Sequence, residues 1–130
     1  MLILTIRTDR PEAEIGLYED SKKLAYETWQ AHRQLAETIH VKIENLLKSL
    51  GKDWPDLEAT ICYQGPGSFT GLRIGLTVAN TLAYGLEIPI IATKNDNWAN
   101  QGIEKLLAGK NDQIALPDYG APPHITNPKK

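Results

Sequence analysis

Residues Gln64-Gly65-Pro66-Gly67-Ser68-Phe69-Thr70-Gly71 pass from an apolar run through a glycine-rich turn into a helical pattern. Such a turn exposes backbone N–H groups and the positive end of a helix dipole, which suits an anion. The spacings of the known phosphate loops are not met. A Walker loop needs Gly, four residues and then Gly-Lys-Ser/Thr, and here Thr70 stands five places after Gly65. Gly65-x-Gly67 of a dinucleotide fingerprint also lands on Thr70. Ser68 lies between Pro66 and Thr70 rather than between the two glycines of a nucleophile elbow. Ser68 therefore reads as a helix cap, with anion binding as the alternative.

The remaining reactive residue types are scattered. His32 and His40 are eight residues apart and His124 lies near the C-terminus, so no pair of histidines falls on one helical face and no metal site is expected. No spacing supports a Ser-His-Asp triad around Ser68. Asp9 follows the first apolar run, where a carboxylate can hold a metal or nucleotide, but Arg7 and Arg10 beside it point to a solvated charge cluster. Cys62, the one cysteine, sits between Ile61 and Tyr63 and reads as a small buried hydrophobe. It excludes an internal disulfide framework and any multi-cysteine metal site. Neither a catalytic residue nor a cofactor is expected.

The elements that must position these residues follow from periodicity. Leu2-Ile3-Leu4-Thr5-Ile6 is a nearly unbroken apolar run, the pattern of a central strand covered on both faces. Ala13, Ile15 and Leu17, then Leu24, Tyr26 and Thr28, alternate around a short polar loop and predict a hairpin. Leu35, Ile39, Ile43, Leu46, Leu47 and Leu50 fall at helical spacing over 34–50, with Gly51 as the stop. Ala59 to Tyr63 is a further strand, Ser68 to about Gly85 a second helix, Ile88 to Ala92 a strand with its proline near the start, and Trp98 to Leu107 a weaker helix. The alternation gives an α/β class: a mixed sheet with helices packed on it.

The second helix has two apolar sides. Phe69, Leu72, Leu76, Ala79 and Ala83 form one stripe, Ile74, Val78 and Leu82 another, and Gly71, Gly75 and Ala79 leave a flat side that a backbone can approach. A helix lying on one sheet needs a single stripe. Either this helix is deeply buried in the domain, or its second side meets a partner protein.

The chain's 130 residues make one domain. Residues 1–110 carry the globular pattern, and 111–130, with Pro117, Pro122, Pro123 and Pro128 and ending in Lys129-Lys130, read as an extended C-terminal tail. No apolar stretch reaches the ~20 residues that span a bilayer, and no charged-then-apolar leader opens the sequence. A soluble cytoplasmic protein is expected. A formal net charge of −2 and no Lys/Arg run longer than two leave no basic patch, so any nucleic acid in its pathway is held by something else.

Gly65-Pro66-Gly67-Ser68-Phe69-Thr70-Gly71-Leu72-Arg73-Ile74-Gly75 resembles the hallmark of the bacterial TsaB (YeaZ-like) family of tRNA threonylcarbamoyladenosine biosynthesis proteins. The flanking Asp56 to Ile61 and Ala79 to Ile91 resemble the family's approach strand and its helix and next strand. The resemblance extends from Met1 to about Asp96 and is weaker before Asp53. It implies a single RNase H-like lobe of the actin and sugar-kinase superfamily. It also implies a noncatalytic subunit pairing with a TsaD-type enzyme, which transfers threonylcarbamoyl from its adenylate to adenosine 37 of tRNA (t6A). A TsaE-type ATPase joins that assembly, and tRNA is met only indirectly.

The expected contact residues are Ile39, His40, Ile43 and Leu47 of the first helix and Ser68, Thr70, Gly71, Arg73, Ile74, Gly75, Val78 and Leu82 of the second. Arg73 would orient the contact, and Ser68 and Thr70 would cap the helix start. A homodimer through the same helices is one alternative; a small ATPase or peptidase of this fold is another. Three departures stand out. Arg7 takes the place of the family's first-strand carboxylate, Arg33-Gln34-Leu35-Ala36 replaces an Arg-x-His-Ser string, and the family's second lobe is missing while Pro117-Asp118-Tyr119-Gly120 resembles the C-terminus of longer relatives.

Overall fold

The run from Leu2 to Ile6 forms the middle of the molecule. In the computed structural model, which describes residues 1–118 apart from the side chain of His32, β1 (Leu2–Arg7) pairs antiparallel with β2 (Glu12–Glu19) and parallel with β4 (Ala59–Tyr63). β2 continues antiparallel to β3 (Lys22–Gln30) and β4 parallel to β5 (Ile90–Thr93), giving the order β3-β2-β1-β4-β5. Leu2 to Ile6 and Ala59 to Tyr63 are buried throughout, as strands covered on both faces must be. Each fully buried Leu or Ile there contributes about 1.5–3 kcal/mol.

The helices divide between the two faces. α1 (Leu35–Ser49) touches β2 and β3, whereas α2 (Phe69–Leu86) touches β1, β4, β5 and α1. α2 packs on Thr8, on the same side of the β1 run as Leu4 and Ile6. α3 (Trp98–Leu107) rests through Gly102 on Ile61, which pairs with Thr5, so it covers the opposite face. α1 is tied to β3 by Lys42 and Glu27 at 2.7 Å and by the Trp29 indole N–H donating to Thr38 at 3.0 Å. It ends as expected, with the Gly51 N–H donating to the Lys48 carbonyl and the Lys52 N–H to that of Leu47, a Schellman closure.

Two local expectations are corrected, at the start of β5 and at Ser68. β5 starts at Ile90, after Pro89, because the Pro89 carbonyl accepts from the Thr60 N–H while proline itself has no N–H for a ladder. Ser68 occupies the N-cap of α2, but its side chain makes no capping bond there; its backbone N–H donates to the Asp9 carbonyl at 2.9 Å, docking the helix start on the chain that leaves β1. The described part of the tail, 111–118, folds back on the domain. Asp112 N–H donates to the Ile90 carbonyl, and the Asn111 and Asp112 side chains accept from the Ile90 and Ala92 N–H groups, so they cover the open edge of β5. The remaining tail features, Tyr119-Gly120, Pro122, Pro123, His124, Pro128 and Lys129-Lys130, lie outside the described residues.

Candidate docking face

Side by side on one face of the sheet, α1 and α2 leave an open groove of about 320 Å³. Its floor is Ile39 and Val78, which are 0% and 6% exposed. Ala36 and His40 line it from α1, Thr70, Arg73, Ile74 and Thr77 from α2. His40 is exposed, its ring tilted against Trp54 at 6.5 Å, and Arg73 is exposed with its guanidinium 5.5 Å from the Phe69 ring centre. A groove with an apolar floor and cationic or ionisable rims fits an apolar protein surface carrying an acidic group.

The expected contact residues separate into two groups. Ser68, Thr70, Arg73 and His40 are exposed, and Ile74, Leu82 and Gly71 are half-buried. Ile39, Ile43, Leu47, Gly75 and Val78 are buried, Ile39 and Val78 beneath the groove and the other three in the domain's own core. The flat side of α2 is filled from within. A Cβ on Gly75 would stand 2.1 Å from Thr8 Oγ1 and one on Gly71 2.1 Å from the Thr8 carbonyl oxygen, while the Thr8 hydroxyl donates to the Gly71 carbonyl at 2.7 Å. The helix therefore approaches its own β1, and the side carrying Ile74 and Leu82 is left partly open.

The charge cluster after β1 is not solvated as expected. Arg7 grips Asp9 with two nitrogens, at 2.7 and 3.2 Å, lies 4.0 Å over the Tyr63 ring and stands 4.0 Å from Glu14. Their side chains are only 14%, 9% and 12% exposed. Glu14 also accepts from Arg10 at 2.9 Å and from the Tyr26 hydroxyl at 2.7 Å. The bond to Asp9 raises the Arg7 guanidinium above its usual range, and desolvation with the bond to Glu14 pushes the Tyr26 phenol up to about 12. Two arginines and two carboxylates thus satisfy one another at the end of β1.

A further hollow of about 380 Å³ lies at the start of α2, lined among others by Arg10, Arg33, Ser68 and Thr70. The Cys62 thiol is fully buried, and desolvation pushes it far up, away from thiolate chemistry. Among the described residues, no group of three or more His, Cys, Asp or Glu is placed to hold a metal, and no helix is long and apolar enough to cross a membrane.

Asn80 is the residue that sequence reasoning missed. From a largely apolar helix its side chain accepts from the Ala115 N–H at 2.8 Å and donates to the Ala115 carbonyl at 2.9 Å. A lone amide between Ala79 and Ala83, both buried, was the available signal.

Known proteins bear on this geometry. The family model described as TsaD: tRNA N6-adenosine threonylcarbamoyltransferase matches residues 29–95. The chain is 31% identical over 119 residues to the tRNA threonylcarbamoyladenosine biosynthesis protein TsaB of Escherichia coli, covering 83% of this chain and 49% of that protein. It is 33% identical over 95 residues to the protein of the same name in Bacillus subtilis, covering 73% and 42%. The chain therefore spans about half the length of the curated relatives it matches. Among solved structures, an uncharacterized protein with similarity to peptidase YEAZ from Pseudomonas aeruginosa superposes with a TM-score of 0.67 at 26% identity, over 72% of this chain and 43% of that one. Thermus thermophilus RuvC superposes with a TM-score of 0.52 at 15% identity over 95% of this chain and 85% of that one, a likeness of fold alone. The mixed five-stranded sheet with three helices is the RNase H-like lobe that the sequence resemblance implied.

Proposed function

This chain belongs to the threonylcarbamoyladenosine family that the TsaD model describes, with TsaB proteins among its relatives, and from that membership we propose that it is a noncatalytic TsaB-like subunit acting in tRNA t6A modification in the cytoplasm. Its partner is a TsaD-type enzyme, seated on the groove between α1 and α2; a TsaE-type ATPase joins the pair, and tRNA is held by the partners. The observation that carries this reading is the groove itself, with its apolar floor of Ile39 and Val78 and exposed Arg73 at its rim.

Two features support a supporting rather than a chemical role. Arg7, bound to Asp9 and stacked on Tyr63, fills the end of β1 where a nucleotide- or metal-binding carboxylate would have to stand free. With two arginines against two carboxylates, that corner has no surplus negative charge for a cation. The transferase activity in the family's description then belongs to the partner.

Co-expression with a tagged TsaD-type protein from the same genome tests the proposal. Capture of the tagged protein should retain the wild-type chain and lose the Ile74→Arg variant, which sets a charge in the groove while Ile74, half-exposed, leaves the core intact. Failure to retain the wild-type chain, or equal retention of both, refutes it.

A further inference from the structure

Segment 111–118 is fastened along its length. Beyond the bonds to β5 and Asn80, Gln64 donates from its side chain to the Leu116 carbonyl at 2.9 Å and accepts the Asp118 N–H on its own carbonyl at 2.9 Å. The fit is close enough that a Cβ on Gly65 would stand 1.9 Å from the Asp118 carbonyl oxygen. Ala115 is buried, while on either side of it Ile114, which follows the left-handed Gln113 (φ 69°), and Leu116 are 59% and 60% exposed. Two large aliphatic side chains are thus held in the open on a hydrogen-bonded backbone.

Both line a second groove, of about 240 Å³, against Arg73, Leu76 and Thr77 of α2. Arg73 and Thr77 line the α1/α2 groove as well. α2 is therefore a ridge with an apolar groove on each side, and Arg73 is the formally charged side chain common to both.

We infer that the docking face continues across α2 onto segment 111–118, and that its occupant is the TsaD-type partner, presenting an apolar surface with a carboxylate opposite Arg73. This rests on the reading above. Isothermal titration with the purified TsaD-type protein of the same genome tests it. The Ile114→Ser/Leu116→Ser double variant should keep the wild-type melting temperature and bind about tenfold or more weakly, the loss expected when two aliphatic side chains are no longer there to bury. Leu107→Ser, an exposed position on α3 across the sheet, should bind like wild type. Arg73→Glu should weaken binding more than Arg73→Gln.

Wild-type affinity in the double variant, with Ile74→Arg inactive, overturns the extension and leaves the α1/α2 reading standing. No binding by the wild-type chain overturns both. Equal losses from Arg73→Glu and Arg73→Gln overturn the carboxylate. A chain that is dimeric alone and becomes monomeric with Ile114→Ser/Leu116→Ser overturns the choice of occupant in favour of a second copy.

Discussion

Arg7 shows how one residue type changes what a corner of the fold can do. Its guanidinium lies against Asp9, Glu14 and the Tyr63 ring with little exposure, so truncation leaves a carboxylate that is 9% exposed without its partner. Arg7→Ala should lower unfolding stability by about 2 kcal/mol, less than the roughly 3–5 kcal/mol of a fully buried pair broken on one side, because the corner still touches water. Arg7→Lys, which keeps the charge and loses the two-pronged grip, should fall between. Urea unfolding of the three proteins checks this, and a neutral Arg7→Ala would mean that the cluster is solvated after all. Tyr26 gives a pH signature at the same place. Its phenol is raised to about 12 when folded, against about 10 when unfolded. The stability it contributes is full below pH ~10 and is lost as the pH climbs towards 12, because the unfolded chain ionises first. The gap in urea midpoint between wild type and Tyr26→Phe should therefore be constant up to pH ~10 and shrink above it; a gap that widens contradicts the assignment.

At the scale of elements, α2 decides how the domain and its open face divide. Gly75→Ala places a methyl 2.1 Å from Thr8 Oγ1, whereas nothing lies within 4 Å of a Cβ on Gly85 of the same helix. The first change should cost about 1–3 kcal/mol through overpacking, and the second should add up to about 1 kcal/mol through helix propensity. Thermal unfolding of both variants gives the signs, and matching signs would show that α2 does not rest on Thr8. The sequence made the elements themselves legible. The apolar run of β1, the hairpin alternation and the bounds Trp98 to Leu107 of α3 all reappear, because period and burial are set by the same side chains. It was silent on which side of two-sided α2 meets the sheet, since that choice depends on Thr8, 63 residues before its hydrogen-bond partner Gly71 reaches it. The return of 111–118 was hidden for the same reason: proline content forbids a helix without saying where an extended segment lies, and the clamp is Asn80, 35 residues away.

For the whole molecule, the sheet, the three helices and the returning segment leave one face with grooves on both sides of α2, and whether that face takes a protein partner decides the role of the chain. A subunit that acts by docking has to form a discrete complex, and standard interfaces of this kind bury about 1,600 Å² in total. Size-exclusion chromatography with light scattering, run on the purified chain mixed with the TsaD-type protein of the same genome at micromolar concentration, measures this most directly. Docking gives a single species whose mass exceeds that of the partner by one copy of this 14.5 kDa chain. Two separate peaks, each with the mass it has alone, would contradict it.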